Sequence, residues 1–151
     1  MEQPAGNKIT GNPSSHPALS VKWVEDFPDI PLNRNEAYKL RVTSKGVEIE
    51  AITETGVYRA IQTLRQLTEK KGNGIAITGC EITDWPAFRI RGFMQDVGRT
   101  YISTDELKRE IAILARYKIN VFHWHLTENQ AWRLQSKVFP MLNDSVNTTR
   151  Q

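Results

Sequence analysis

Between Arg89 and Leu126 the chain reads as strand, helix, strand, and little else can be built from it. The segment "RIRGFMQDV" is apolar enough for a buried strand, and Gly92 and Gly98 mark bends or close backbone approach. "STDE" then matches a capping box, with Ser103 as N-cap and Glu106 three residues on. Leu107, Ile111, Leu114 and Ala115 follow at helical spacing as far as "YKIN". "VFHWHL" supplies the second strand. A strand, a helix of about four turns and a strand close right-handed, which makes the two strands parallel neighbours in a βαβ unit.

Upstream the period changes to two. "YKLRV" alternates Tyr38, Leu40 and Val42 on one face, "TSKG" supplies a turn, and "VEIEAI" points Val47, Ile49 and Ala51 inward with Glu48 and Glu50 outward. That pattern predicts a hairpin with one wet face. Thr55 is placed to cap a helix over "GVYRAIQTLRQLTEK", whose Val57, Ala60, Ile61, Leu64 and Leu67 can cover the dry face. "KGNG" stops it, and "IAITGCEIT" offers one further strand, so the expected architecture is an α+β domain with a β-β-α-β layer. Residues 1–20, rich in Gly, Pro, Asn and Ser, read as a flexible lead-in. The composition shift at "TDWPAF", where Pro86 resists helix, divides a small α+β domain over 21–84 from a second unit over 85–151.

With 151 residues and a hydrophobic fraction of 39%, the chain can pack a core. The net charge of +3 comes from intermixed acids and bases, which reads as a solvated surface and sets nucleic acid aside as a partner. No apolar run reaches membrane-span length, and the N-terminus has neither a cationic nor an apolar signal region. Cys80 stands alone, so no intrachain disulfide forms. Its strand setting makes it a small hydrophobe rather than a nucleophile.

Ligand sites in parallel α/β sheets form beyond the carboxyl ends of the strands, where the following loops converge. Two groups fall there: Asp96 and Arg99 after the first strand, and Glu128, Asn129, Trp132 and Arg133 after the second. A guanidinium and a carboxylate beside an aromatic ring suit a polyhydroxylated ligand; the bland alternative is that Arg99 and Glu128 pair with each other or with helix ends. His123 and His125 share one strand face, as a metal site would require. The only other histidine is His16, so histidines hydrogen-bonded within a buried strand are expected instead. Asp105 and Glu106 fall in the first turn of the helix, where their charge complements the dipole, and are read as capping residues rather than catalytic ones.

The stretch "FRIRGFMQDVGRTYISTDELKREIAILARYKINVFHWHLTENQAWRLQSKVFPML" resembles the opening of the catalytic barrel of glycoside hydrolase family 20, the β-N-acetylhexosaminidases. Similarly, "EAYKLRVTSKGVEIEAITETGVYRAIQTLRQL" resembles the small α+β domain that precedes the barrel in that family. The resemblance implies a truncated (β/α)8 TIM barrel of which two strands are present, since a complete barrel takes about 250 residues. It further implies that Arg99 binds hydroxyls of the non-reducing N-acetylhexosamine and that Glu128 stands where the family has an Asp of the sugar pocket. Asp96, His125 and Trp132 would support them. Thr100 replaces a frequent His, and Glu128-Asn129 replaces Asp-Asp, so the hydroxyl contacts differ in detail.

The family's catalytic Asp-Glu pair lies on a later strand and has no counterpart in this chain, so no catalytic residue is assigned and the piece is expected to be inactive alone. The complete enzyme would hydrolyse terminal β-linked N-acetylglucosamine or N-acetylgalactosamine with retention, the substrate's acetamide acting as nucleophile. The implied partner is an N-acetylhexosamine-terminated glycan, without metal or organic cofactor, in a periplasmic, cell-surface or secreted setting. Exposed barrel edges are expected to self-associate. Two other readings stand beside this one: a non-catalytic carbohydrate-binding or docking module, and a metal-dependent hydrolase using His123 and His125.

Overall fold

Period-two alternation builds the first unit. In a computed structural model, which describes residues 8–10, 18–129 and 131–143, the chain separates into two compact units, residues 1–89 and 90–151. The first unit opens with β1 (Lys8–Thr10) and β2 (Ala18–Trp23). The lead-in expected up to residue 20 therefore already contains paired strands. Composition alone hid them, because Leu19, Val21 and Trp23 alternate within a segment judged by its flanking Gly, Pro and Ser.

After a short 3-10 turn at Arg34–Glu36 come β3 (Tyr38–Thr43) and β4 (Gly46–Ala51), an antiparallel hairpin with Val42 opposite Val47. Its apolar positions are buried: Tyr38 and Leu40 are 1% exposed and Ile49 is 0% exposed. Each such side chain contributes about 1.5–3 kcal/mol through burial. Helix α1 (Glu54–Leu67) lies on that face, with Ala60 buried and Val57, Ile61, Leu64 and Leu67 packed beside it.

The helix starts earlier than expected. Thr53, not Thr55, is the N-cap and accepts the Gly56 N–H at 3.3 Å. This places Gly56 against the sheet, where a Cβ would lie 2.5 Å from the Ala37 carbonyl oxygen. Arg59 on the same helix is 7% exposed and reaches Glu36 at 2.9 Å, tying α1 to the 3-10 turn.

The helix also ends earlier. Thr68 turns extended, so "TEKK" forms β5 (Thr68–Lys71) and pairs through a two-residue turn with β6 (Gly74–Thr78). The single strand expected over 75–83 breaks at Gly79 into β6 and β7 (Cys80–Asp84). The β-β-α-β layer is thus extended into two sheets, one ordered β1-β6-β5 and the other β2-β4-β3-β7. A strand cannot serve two sheets without a break, and a residue with no side chain is where it breaks. Cys80 packs against the core, and burial raises its thiol pKa above the ordinary value. A second small core joins Phe27, Ile30 and Ala37, with Trp85 packed on them, so Trp85 sits in the first unit rather than heading the second.

The second unit holds β8 (Gly92–Asp96), α2 (Thr104–Arg116) and β9 (Val121–His125). The strands are parallel, with Gly92 opposite Val121 and Asp96 opposite His125. The capping box is complete: Ser103 Oγ accepts the Glu106 N–H at 3.3 Å, and Glu106 Oε2 accepts the Ser103 N–H at 3.0 Å. Two more short strands, β10 (Thr127–Glu128) and β11 (Ala131–Trp132), make a hairpin directly after β9.

One expectation fails here. β9 is not buried: His123 and Trp124 are exposed, and Ile111 on α2 is exposed while Leu107 is buried. β8 and β9 pair only with each other among the described residues, so a two-stranded sheet with one helix leaves much of its apolar surface uncovered. No described helix is long and apolar enough to cross a membrane.

Candidate functional site

Asp96 is the last residue of β8, and the chain turns sharply behind it. Its Oδ1 accepts the N–H of Gly98 at 2.8 Å and of Arg99 at 3.0 Å, while Oδ2 takes the Arg99 guanidinium. These bonds fold residues 96–99 into a tight loop that carries Arg99 back over the strand end. The N–H of Arg99 is the chief cause that holds the Asp96 carboxyl below the ordinary carboxylate range, helped by the Arg99 guanidinium and the Gly98 N–H.

Glu128 arrives from the other strand. The β10–β11 hairpin sets it opposite Ala131, and its Oε2 lies 3.1 Å from His125 Nε2 and 3.2 Å from Arg99 Nη2. Its carboxyl is likewise held low, chiefly by the bond to His125, then by the Asn129 N–H and the charge of Arg99. The two segments meet closely because residue 98 is glycine: a Cβ there would lie 3.0 Å from the Glu128 Cβ.

The result is one guanidinium between two ionised carboxylates, backed by an imidazole, at the carboxyl ends of two parallel strands. Arg99 is half exposed, and a guanidinium has five N–H donors, more than its contacts with the two acids engage. Donors and acceptors held side by side suit a pair of neighbouring hydroxyls.

Of the residues singled out from sequence, Asp96, Arg99, His125 and Glu128 are brought together. Trp132 stands opposite Thr127 in the hairpin, and its indole N–H is buried without a hydrogen-bond partner among the described residues. His123 meets His125 edge to face at 5.9 Å between ring centroids. Among the described residues no group of three His, Cys, Asp or Glu could hold a metal ion, and His16 lies outside them. Glu106 is engaged at the helix start, where the Ser103 hydroxyl lowers its pKa first, and Asp105 pairs with Lys108 at 3.6 Å. Sequence reasoning gave no role to the Val97 carbonyl, which accepts Arg133 Nε at 2.8 Å; no local spacing signals a bond that spans 36 positions.

The family described as glycosyl hydrolase family 20, domain 2, matches residues 4–85, more than half of the chain, and the same family's catalytic domain matches residues 88–151. The chain belongs to glycosyl hydrolase family 20. The β-hexosaminidase of Porphyromonas gingivalis is 42% identical over 99% of this family-20 chain, which spans 18% of that protein. The Cellulomonas fimi β-N-acetylhexosaminidase is 39% identical over 83% of the chain and is matched over 25% of its own length.

Among solved structures, the Vibrio harveyi exo-β-N-acetylglucosaminidase in complex with N-acetylglucosamine superposes with a TM-score of 0.71 at 36% identity, covering 83% of this chain and 19% of that one. The Bacteroides fragilis β-N-acetylhexosaminidase gives 0.71 at 37%, covering 81% and 24%. The family-20 chain thus spans no more than about a quarter of these relatives, and what it matches is domain 2 and the start of the catalytic domain.

Proposed function

We propose that the chain is part of a β-N-acetylhexosaminidase that removes terminal β-linked N-acetylglucosamine or N-acetylgalactosamine, and that Arg99 and Glu128 bind hydroxyls of the non-reducing sugar. The observation that carries this reading is the Arg99–Glu128 contact at the ends of β8 and β9, flanked by Asp96 and His125. β8, α2 and β9 are then the first βαβ turn of a (β/α)8 barrel, whose ligands bind at the carboxyl face of the strands. Asp96 fixes the guanidinium, and His125 fixes the Glu128 carboxylate.

In this reading the reaction proceeds with retention: the substrate's 2-acetamido oxygen attacks the anomeric carbon, an Asp steadies the acetamide, and a Glu protonates the leaving oxygen and then activates water. Asp105 and Glu106 do not serve those roles, being engaged at the start of α2. These 151 residues therefore contribute sugar binding rather than turnover.

Calorimetric titration of the chain with N-acetylglucosamine tests the binding half. Heat is expected for the wild type, and Arg99→Ala should weaken affinity at least tenfold, since a hydrogen bond from a charged group is worth about 1.5–3 kcal/mol. Absence of heat at millimolar sugar would sink the site. Turnover of an aryl N-acetylglucosaminide above that of the Arg99→Ala chain would overturn the binding-only role.

A further inference from the structure

Val97 sits between the two halves of the candidate site and is held from both sides. It is 2% exposed, its N–H donates to the His125 carbonyl at 3.0 Å, and its own carbonyl accepts Arg133 Nε at 2.8 Å. Arg133 does more than reach Val97. Its main-chain N–H donates to the Leu126 carbonyl at 2.9 Å, and its guanidinium carbon lies 5.6 Å from the centroid of the Tyr101 ring. One residue thus grips the segment bearing Asp96 and Arg99 at two points and the segment bearing His125 and Glu128 at a third.

We propose that Arg133 is a positioning residue that sets the separation of Arg99 from Glu128, and through it the affinity of the pair for a sugar's hydroxyls. The second clause rests on the sugar-binding reading above; the first does not. The contacts of Arg133 described above are with the Val97 and Leu126 main chain and the Tyr101 ring. Arg133 acts through the Val97 main chain, whose displacement carries the loop 96–101 with it.

That loop is internally braced, because the Asp96 carboxylate holds the Gly98 and Arg99 N–H groups and the Arg99 guanidinium. It therefore shifts as a body: the Asp96–Arg99 contacts travel together, while the 3.2 Å contact from Arg99 to Glu128, made across the two segments, loosens. Arginine suits the place because its Nε can donate to a carbonyl while its flat guanidinium lies on an aromatic ring; lysine can donate but cannot stack in the same way.

This geometry separates positioning from simple loss of charge. Losing a cation from the neighbourhood would act on both carboxyls alike, whereas a shifted loop takes only the Arg99 charge from Glu128, whose bonds to His125 and the Asn129 N–H stay in place, and leaves Asp96 as it was. Side-chain carboxyl titrations of Asp96 and Glu128, followed by carbon-13 NMR in the whole chain, distinguish the two in Arg133→Met. The Glu128 midpoint should rise with the Asp96 midpoint unmoved, and the dissociation constant for N-acetylglucosamine should weaken about tenfold. Arg133→Lys should fall between wild type and Met in both measurements.

An unmoved Glu128 midpoint, or both midpoints rising together, would overturn the proposal. If the wild type binds no N-acetylglucosamine, the sugar reading fails, and the paired titrations still decide the role of Arg133. Should Arg133→Met not fold, Arg133→Lys carries the same comparison of the two carboxyls.

Discussion

At the scale of single residues, the site is a set of carboxylates kept ionised by donors. Asp96 and Glu128 both titrate below their ordinary values in the folded chain, Asp96 chiefly through the Arg99 N–H and Glu128 chiefly through His125. A group with a depressed folded pKa stabilises the fold above its unfolded value, about 3.9 for Asp and 4.3 for Glu, and loses that contribution as pH falls through the folded value. Thermal unfolding followed from pH 7 down to pH 3 should therefore show a fall in Tm that is shallower in Asp96→Asn than in wild type. Equal slopes would show that Asp96 carries none of the acid sensitivity. The residue types of this site were legible in the sequence, because loops after parallel strands are where polar groups gather. Their contacts were not: Arg99 and Glu128 are far apart in the chain, and only the parallel register of Asp96 opposite His125 brings them within 3.2 Å.

At the scale of elements, helix α1 sets two effects against each other at Gly56. Intrinsic propensity favours Ala over Gly by at most about 1 kcal/mol, the value for a helix interior, and Gly56 lies in the first turn. Packing opposes it, because the added Cβ would fall 2.5 Å from the main-chain oxygen of Ala37 and 3.1 Å from the Ala51 Cβ. A backbone oxygen cannot swing aside as a side chain can, so overpacking wins. Gly56→Ala should destabilise the first unit by about 1–3 kcal/mol in urea unfolding, and a stabilised variant would show that the helix shifts to make room. Element types were legible where periodicity was long, as in the β3–β4 hairpin and α2. Element ends were not. Thr53 caps α1 in place of Thr55, and Thr68 leaves it for a strand, because both choices depend on neighbours distant in sequence: Asn35, whose carbonyl takes the Thr53 hydroxyl, and Ile77, which pairs with Thr68.

At the scale of the molecule, both units keep apolar surface in water. In the first, β2 is an edge strand among the described residues, and its Leu19, Val21 and Trp23 share a face with Val47, Ile49 and Ala51 but remain exposed. In the second, Met94, Val121, Trp124 and Ile113 are exposed. Surfaces of this kind associate. Sedimentation velocity should show the weight-average coefficient rising with concentration in the micromolar range, and a concentration-independent monomer would contradict it.

What the sequence by itself determined is whatever a short period can encode: the wet and dry faces of the hairpin, the capped helix α2, and the parallel pair that had to follow from strand, helix, strand. Tertiary structure decided the rest. It split residues 75–83 between two sheets at Gly79, drew β1 and β2 out of a segment that composition made look loose, and left β9 exposed. It also closed Arg99 on Glu128 through Gly98, where the missing Cβ leaves room for the approach. Periodicity records which face of an element is apolar, but it carries no information on which distant element will cover that face or lie beside it.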